Sequence, residues 1–522
     1  MILGDPTPAA GQTEGHSRIT VDALFRGAAA RRPDAVALVD PQNRESFTDG
    51  APRRLTYAEA DRVVSAIAGR LRGMGLSTDS IVGIQLPHTV EGILTLLGVL
   101  RAGLIAAPLP LLWRRAEAAV ALARVGAKAL ITCRRVDHFE HCQFATRVAA
   151  EVFSIRYVCG FGPALPDGAV ALDDLFTVEQ IEPVPPLDRD NKAAHLAIIT
   201  FEVGEDGPVP VARRHIELLA GGLGIVLESR LEPDASMLST LAPASFAGIC
   251  LTLLPWLLTG GTLVLHQPFD ADIFARQRQD HGCGVLLLPA QVAFRLAAAG
   301  SFAQAAPATI LAAWRNPERL AESPDWESRD TALIDVPVFG EAGFVAARRG
   351  ADGRPRPLPL GRVTAPRHGD GAVTLVELGT TETATLSLRG PIVPAHVFPP
   401  GIERIDQPHF KIAPDGSVDT GYACQVDVAA STIAVTAPPS GIVCVGGYRF
   451  PLGGLKEKVG RVETDATLGA KPDPLLGQCL IGTAPDSAAM IAALDGFGLN
   501  PLVARAFAGQ DETPAGEVRA VA

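Results

Sequence analysis

The chain has 522 residues and a formal net charge of −11 at pH 7, from 46 Lys and Arg against 57 Asp and Glu. That length exceeds one ordinary core, so at least two domains are expected. The acidic balance argues against a protein that coats nucleic-acid phosphates, although a local anion site stays open.

The apolar fraction of 47% is that of a globular protein, and 52 Gly with 42 Pro imply many turns. Residues 1–18 read as a loose, breaker-rich tail without a secretion signal. "ITVDALFRGAAARRPDAVALVD" reads as a helix and then a short strand. In "LTYAEADRVVSAIAGRLRGMGL", Thr56 and Glu59 have capping-box spacing, and Val63, Ile67 and Leu71 share one helical face. "SIVGIQL" reads as a buried strand, "TVEGILTLLGVLRAG" as a helix and "LIAAPL" as a strand. Helix "RRAEAAVALARVGA" runs into strand "KALITC". Strands alternating with helices of this length predict α/β units around a largely parallel or mixed sheet.

The pattern resumes at strand "LAIIT", followed by "TFEVGEDGPVPVARRH" (Thr200 to His215), which reads as a loop, and helix "RRHIELLAGGLGIVLE". "GTLVLH", "CGVLLL" and "TALIDVPVFG" read as further strands. From about Gly361 short β runs between turns predict a β subdomain. A boundary near Ala437 leaves residues 438–522 as a small α+β domain behind a large one over 19–437. The apolar stretches "GILTLLGVLRAGLIAAPLPLLW" and "FAGICLTLLPWLLTGGTLVLH" are broken by Arg101 and prolines and by Pro255 and a glycine pair; neither reads as a membrane span. The eight cysteines form no CxxC pair, which fits reduced thiols in a cytoplasm. Cys133, His138, His141 and Cys142 cluster in sequence, but their spacing matches no zinc-finger pattern, so no metal site is expected.

The stretch from Leu55 to Thr132, together with "LSLRGP" (Leu386–Pro391), "DTG" (Asp419–Gly421), "GGYRF" (Gly446–Phe450) and "TPAGEVR" (Thr513–Arg519), resembles the adenylate-forming superfamily. Acyl- and aryl-CoA synthetases, luciferases and peptide-synthetase adenylation domains belong to it. The resemblance covers about residues 20–522 and rests on the order of the motifs. It implies a large domain that holds ATP and a carboxylic acid, and a small domain that rotates between adenylate formation and transfer of the acyl group to a thiol.

Position by position, the resemblance also implies losses. Pro208, Val211 and His215 match the framework of the phosphate loop, but Val209 stands at its lysine and Pro210 at the following glycine. Val203, Gly204, Glu205 and Asp206 replace its Gly/Ser/Thr core; carboxylates repel phosphate and proline removes an N–H donor. Phe339 and Gly340 match the next signature, while Ala342 and Gly343 replace its Thr and Glu, leaving Glu341 one place away. The adenine-side motif becomes "AWRNPER", where Trp314 or Arg315 would fill the nucleotide cavity. Tyr422 replaces the ribose-binding aspartate, and Glu517 the terminal catalytic lysine. Gly446, Gly447, Arg449 and Lys456 lie where the resemblance implies a coenzyme A entrance, and Arg449, Lys456 and Lys458 form a small basic patch. "GTTET" (Gly379–Thr383) reads as a chance turn, and no serine-nucleophile elbow occurs.

The expectation is therefore a degenerate, non-catalytic homologue, a pseudoenzyme with no catalytic residue and no cofactor. It would bind an acyl ligand, an acyl carrier or a protein partner. One alternative is a divergent acyl- or aryl-CoA ligase that uses ATP, Mg²⁺ and CoA. Another is a structural subunit.

Overall fold

The computed structural model describes residues 19–508 apart from 179–181, 183, 188, 304, 366–372 and 406. The expected tail over 1–18 and Glu517 lie outside the described residues. Two large sheets carry the first two thirds of the chain. One runs Val170–Ala171, Tyr157–Phe161, Ala129–Cys133, Ile81–Gln85, Ile105–Pro108, Leu196–Gly204 and Gly207–Arg214, parallel until the last pair. Its central strands are buried along their whole length, as strands covered by helices on both faces must be.

The other large sheet orders Ala332–Phe339, Thr309–Trp314, Val285–Pro289, Ser236–Ser239, Thr262–Leu265 and Val36–Val39, all parallel, with short antiparallel strands at its ends. A six-stranded antiparallel sheet follows over Leu358–Ala437. A four-stranded antiparallel sheet over Ile442–Thr483 packs with helices Leu452–Val462, Ser487–Gly496 and Pro501–Arg505. The architecture is a large adenylate-forming-type domain of mixed and parallel sheets plus a smaller C-terminal α+β unit.

Helix Tyr57–Gly73 starts on the capping box: Thr56 Oγ1 accepts the Glu59 amide at 3.2 Å and Glu59 Oε2 accepts the Thr56 amide at 2.7 Å. Val63, Ile67 and Leu71 are fully buried on its inner face. Among the described residues, no helix is long and apolar enough to cross a membrane.

One element departs from expectation. Residues 200–214 form no loop. Leu196–Gly204 and Gly207–Arg214 make an antiparallel hairpin, paired without interruption from Ile198↔Arg213 to Gly204↔Gly207, with a register shift before Leu196↔Arg214. Glu205 and Asp206 form the turn, and Gly207, at φ +86°, takes the left-handed position after it. Pro208 and Pro210 are tolerated because the second strand lies at the sheet edge, where a missing N–H costs no ladder bond.

Candidate functional site

A cavity of about 200 Å³ opens between the two large sheets and the C-terminal unit. Its wall is apolar along Leu109, Trp113, Phe201, Leu251 and Phe269, with polar groups at separate places. Four segments converge there: the hairpin through Glu202 and Val203, the turn after strand Ala332–Phe339 through Gly340 and Glu341, Tyr422, and Gly446–Arg449.

Glu202 is the hub on the hairpin side. Its Oε2 accepts the Glu341 amide at 2.7 Å and its Oε1 the Val203 amide at 3.0 Å, and it forms an ion pair with Arg449. Gly340, at φ +58°, floors this contact: a Cβ there would lie 2.1 Å from Glu202 Oε2 and 2.5 Å from Arg449 Nη1. Only glycine lets the carboxylate approach so closely. Arg449 Nη2 also donates to the Tyr422 hydroxyl at 3.3 Å, and Tyr422 packs edge-on against Phe339 with ring centroids 5.7 Å apart. Tyr422 and Phe339 are buried, and burial pushes the Tyr422 hydroxyl pKa well up.

Glu341 is buried, accepting from Thr200 Oγ1 at 2.5 Å and from the Phe246 amide at 3.0 Å. Burial raises its carboxyl to about 7, Thr200 partly offsets this, and the neighbouring Glu202 adds to it. Behind it, Arg213 is fully buried, donates to the carbonyls of Glu341 and Ile392, and lies over the Phe246 ring at 3.8 Å.

On the far wall His88 is 2% exposed and neither ring nitrogen has a hydrogen-bond partner. Burial lowers its imidazole to about 3, so it is neutral at physiological pH. The Ser239 carbonyl beside it already accepts the His266 amide at 2.9 Å. Gln267 Oε1 accepts the His88 backbone amide at 2.5 Å.

The residues singled out from sequence divide. Val203, Gly340, Arg315, Tyr422, Gly446, Gly447 and Arg449 line the cavity. Gly204, Glu205, Asp206, Pro208, Val209 and Pro210 belong to the outer hairpin, where Arg124 donates to the carbonyls of Asp206 and Pro208. Val209 is buried in the hydrophobic core, on a paired strand, and presents no loop backbone to a ligand. Trp314 does not fill the cavity: it is buried in another cluster, its indole donating to Asp335 at 2.8 Å. Ala342 and Gly343 are buried beside Phe344, away from the opening. His215 is buried under helix Val21–Arg31, where Nδ1 accepts the Val21 amide at 3.3 Å. Lys456 and Lys458 are exposed on helix Leu452–Val462, outside the cavity wall. "GTTET" covers the last two residues of strand Val373–Thr380 and the first three of the turn to strand Thr385–Arg389. Among the described residues, no three His, Cys, Asp or Glu side chains gather as a metal site. Sequence reasoning missed Glu202 and His88. The only signals were an acid inside an apolar strand and a histidine three residues after the end of a buried one.

A family model described as "AMP-binding enzyme" matches residues 25–386, more than half of the chain. The chain belongs to this family. It is thus a member of the adenylate-forming superfamily, as its motifs imply. It is similar to sulfoacetate–CoA ligase of Cupriavidus necator, 26% identical over 55% of this chain and 52% of that protein. It is similar to the salicyl-AMP ligase / salicyl-S-ArCP synthetase of Mycobacterium tuberculosis, 26% identical over 54% of this chain and 48% of that one. The matched region thus spans about half the length of these curated relatives. Among solved structures, the amide bond synthetase McbA from Marinactinospora thermotolerans superposes with a TM-score of 0.70 at 19% identity, over 93% of this chain and 94% of that one. That likeness concerns the fold.

Within the family fold, the residues present do not fit a triphosphate. The hairpin Leu196–Arg214 carries no lysine, and the Glu202 carboxylate already takes the Glu341 amide and the Arg449 charge. What the cavity can do is bind a small, largely apolar molecule and place a polar end among fixed donors.

Proposed function

We propose that this member of the AMP-binding enzyme family binds a small organic acid or acyl ligand without activating it with ATP. The observation that carries this reading is the Glu202–Arg449 ion pair, seated over Gly340 beside the backbone amides of Val203 and Glu341. The internal carboxylate uses N–H groups and a cation that would otherwise suit a phosphate oxygen. An anion placed there would meet Glu202 at short range in a poorly screened site. Glu517 in place of the family lysine supports the same reading, since it reverses the charge expected at that position. On this reading the chain is a degenerate homologue that carries an acid, or presents it to an acyl carrier or protein partner.

A second reading is an ATP-dependent acyl- or aryl-CoA ligase, and the comparisons favour it over the first. Relatives that match half of the chain are named as a CoA ligase and an AMP ligase. Exchange of labelled pyrophosphate into ATP, run with a panel of aromatic and aliphatic acids, separates the two. The first reading expects no acid-dependent exchange above background; sustained exchange with any acid establishes the second.

A further inference from the structure

Arg315 is the cation the cavity leaves without an acid. It follows strand Thr309–Trp314, so that Trp314 turns into the core and Arg315 into the cavity wall. Its Nη1 donates to the Gly446 carbonyl at 2.6 Å. Its Cδ packs on Gly447, where a Cβ would come within 2.6 Å, so the side chain is held in place. Among the described residues that is its one side-chain hydrogen bond, and no carboxylate lies within ion-pair distance of it. The contrast with Arg449, neutralised by Glu202 on the same wall, is direct.

A desolvated guanidinium with spare donors and no counterion is costly unless an anion completes it. Arg315 is half-buried, and burial lowers its guanidinium pKa from the ordinary value while leaving it a cation. The rest of the wall limits which anion that is. The lining is mainly apolar and aromatic, His88 is neutral, Glu341 is shifted toward its neutral form and is held by Thr200 and the Phe246 amide, and the Glu202–Arg449 pair is internally balanced. One unbalanced cation in about 200 Å³ matches one negative charge on a compact apolar body. A triphosphate would bring several charges, and a neutral thioester or amide would leave Arg315 uncompensated.

We propose that Arg315 sets the charge specificity of the cavity: it is the counterion of a bound monocarboxylate and selects the free acid over neutral acyl derivatives. This rests on the acid-binding reading above and names the residue that enforces it.

The test is calorimetric titration of the full chain with two acid–amide pairs of matched shape, benzoate with benzamide and hexanoate with hexanamide. In at least one pair the acid should bind tenfold or more tightly than its amide. Arg315→Gln should bring the acid down to the level of the amide and leave the amide unchanged. The control Lys456→Gln, which removes an exposed cation outside the cavity wall, should keep the preference. Equal binding of acid and amide by the unaltered chain overturns the assignment, as does a preference that survives Arg315→Gln or disappears in Lys456→Gln. In either case the acid-binding reading stands. If no member of either pair binds, that reading falls and takes this inference with it. Should Arg315→Gln fail to fold, Arg315→Lys must retain the acid preference, and the comparison in the unaltered chain decides without any variant.

Discussion

Two buried charge clusters in this molecule are built on opposite plans. In the N-terminal region Arg44 bridges Asp40 at 2.6 Å and Glu91 at 2.7 Å, Arg53 reaches Glu91 at 2.9 Å, and Asp40 also accepts the Val90 and Arg53 amides. Each carboxylate there meets a cation and each cation a carboxylate. Around the cavity the pattern is open: Glu202 and Arg449 cancel, but Arg315 has no acid within ion-pair distance, and the buried His88 ring lies beside the Ser239 backbone with neither nitrogen in hydrogen-bond geometry. A closed network fastens elements together. An open one keeps interactions available, at some cost to stability, for something that arrives later.

The largest effect that should separate the clusters is on folding. Glu91→Ala leaves Arg44 with Asp40 alone and strands Arg53, two cations that share a 3%-exposed carboxylate in the unaltered chain, and should destabilise the chain by about 3–5 kcal/mol. Urea unfolding reads this directly. The affinity of the cavity for an acid should not change in whatever fraction stays folded. A loss of affinity at constant stability would mean that the two clusters are coupled.

Next is a pH effect centred on Glu341; Asp40, raised to about 6 by burial, acts in the same direction. Glu341 is raised in the folded state from an ordinary 4.5 to about 7. Between those values the folded chain holds a proton that the unfolded chain releases. Its contribution to stability is therefore fully present below about pH 4.5 and is lost as pH rises through 7. His88, His141 and His215, lowered to about 3, 3 and 4, act in the opposite direction as pH falls below 6.5. The informative quantity is thus the difference between the unaltered chain and Glu341→Gln. It should shift in favour of the variant by up to about 3 kcal/mol from pH 4.5 to 7.5. A flat difference would mean that Glu341 is ionised throughout.

Much of the scaffold was legible in the sequence because local signals and burial agree. The apolar strands "VGIQ" and "VLLLP" and the Thr56–Glu59 cap each specify their element without help. The hairpin was not legible. Two prolines and two acids in "GEDGPVP" read as a loop, and only the edge position of the second strand makes Pro208 and Pro210 compatible with pairing. At the site, Arg315, Arg449 and Tyr422 could be found because motif positions pointed to them. Glu202 could not, since its partner lies 247 residues away and no local pattern announces the pair. His88 is likewise defined by what it fails to contact, a property only the packed structure has.

The Glu202–Arg449 pair predicts an intermediate effect. Its side chains are 18% and 13% exposed, between the surface and buried limits. Glu202→Gln should cost about 2 kcal/mol. It should also free the Glu341 amide and the Arg449 guanidinium from a full negative charge, so inorganic pyrophosphate should bind the variant more tightly than the unaltered chain. Titration with pyrophosphate alone checks this. Equal affinity would show that the carboxylate does not compete with an external anion and would remove the main support for a non-activating site.

The smallest expected effect is the most discriminating about the hairpin. Glu205 and Asp206 sit exposed at its tip, and their carboxylates take part in no ion pair among the described residues. If the tip were still a phosphate loop, removing two negative charges would strengthen nucleotide binding measurably, because each lies where a triphosphate would pass. If it is only a two-residue turn, the backbone geometry set by Gly207 matters and the side-chain charges do not. Glu205→Gln/Asp206→Asn should therefore leave both the unfolding midpoint and the response to ATP–Mg²⁺ where they were. Gly207→Val, which forces a branched side chain into the left-handed position, should lower the midpoint. The opposite ranking, with charge mattering and geometry not, would return the hairpin to a nucleotide-binding role.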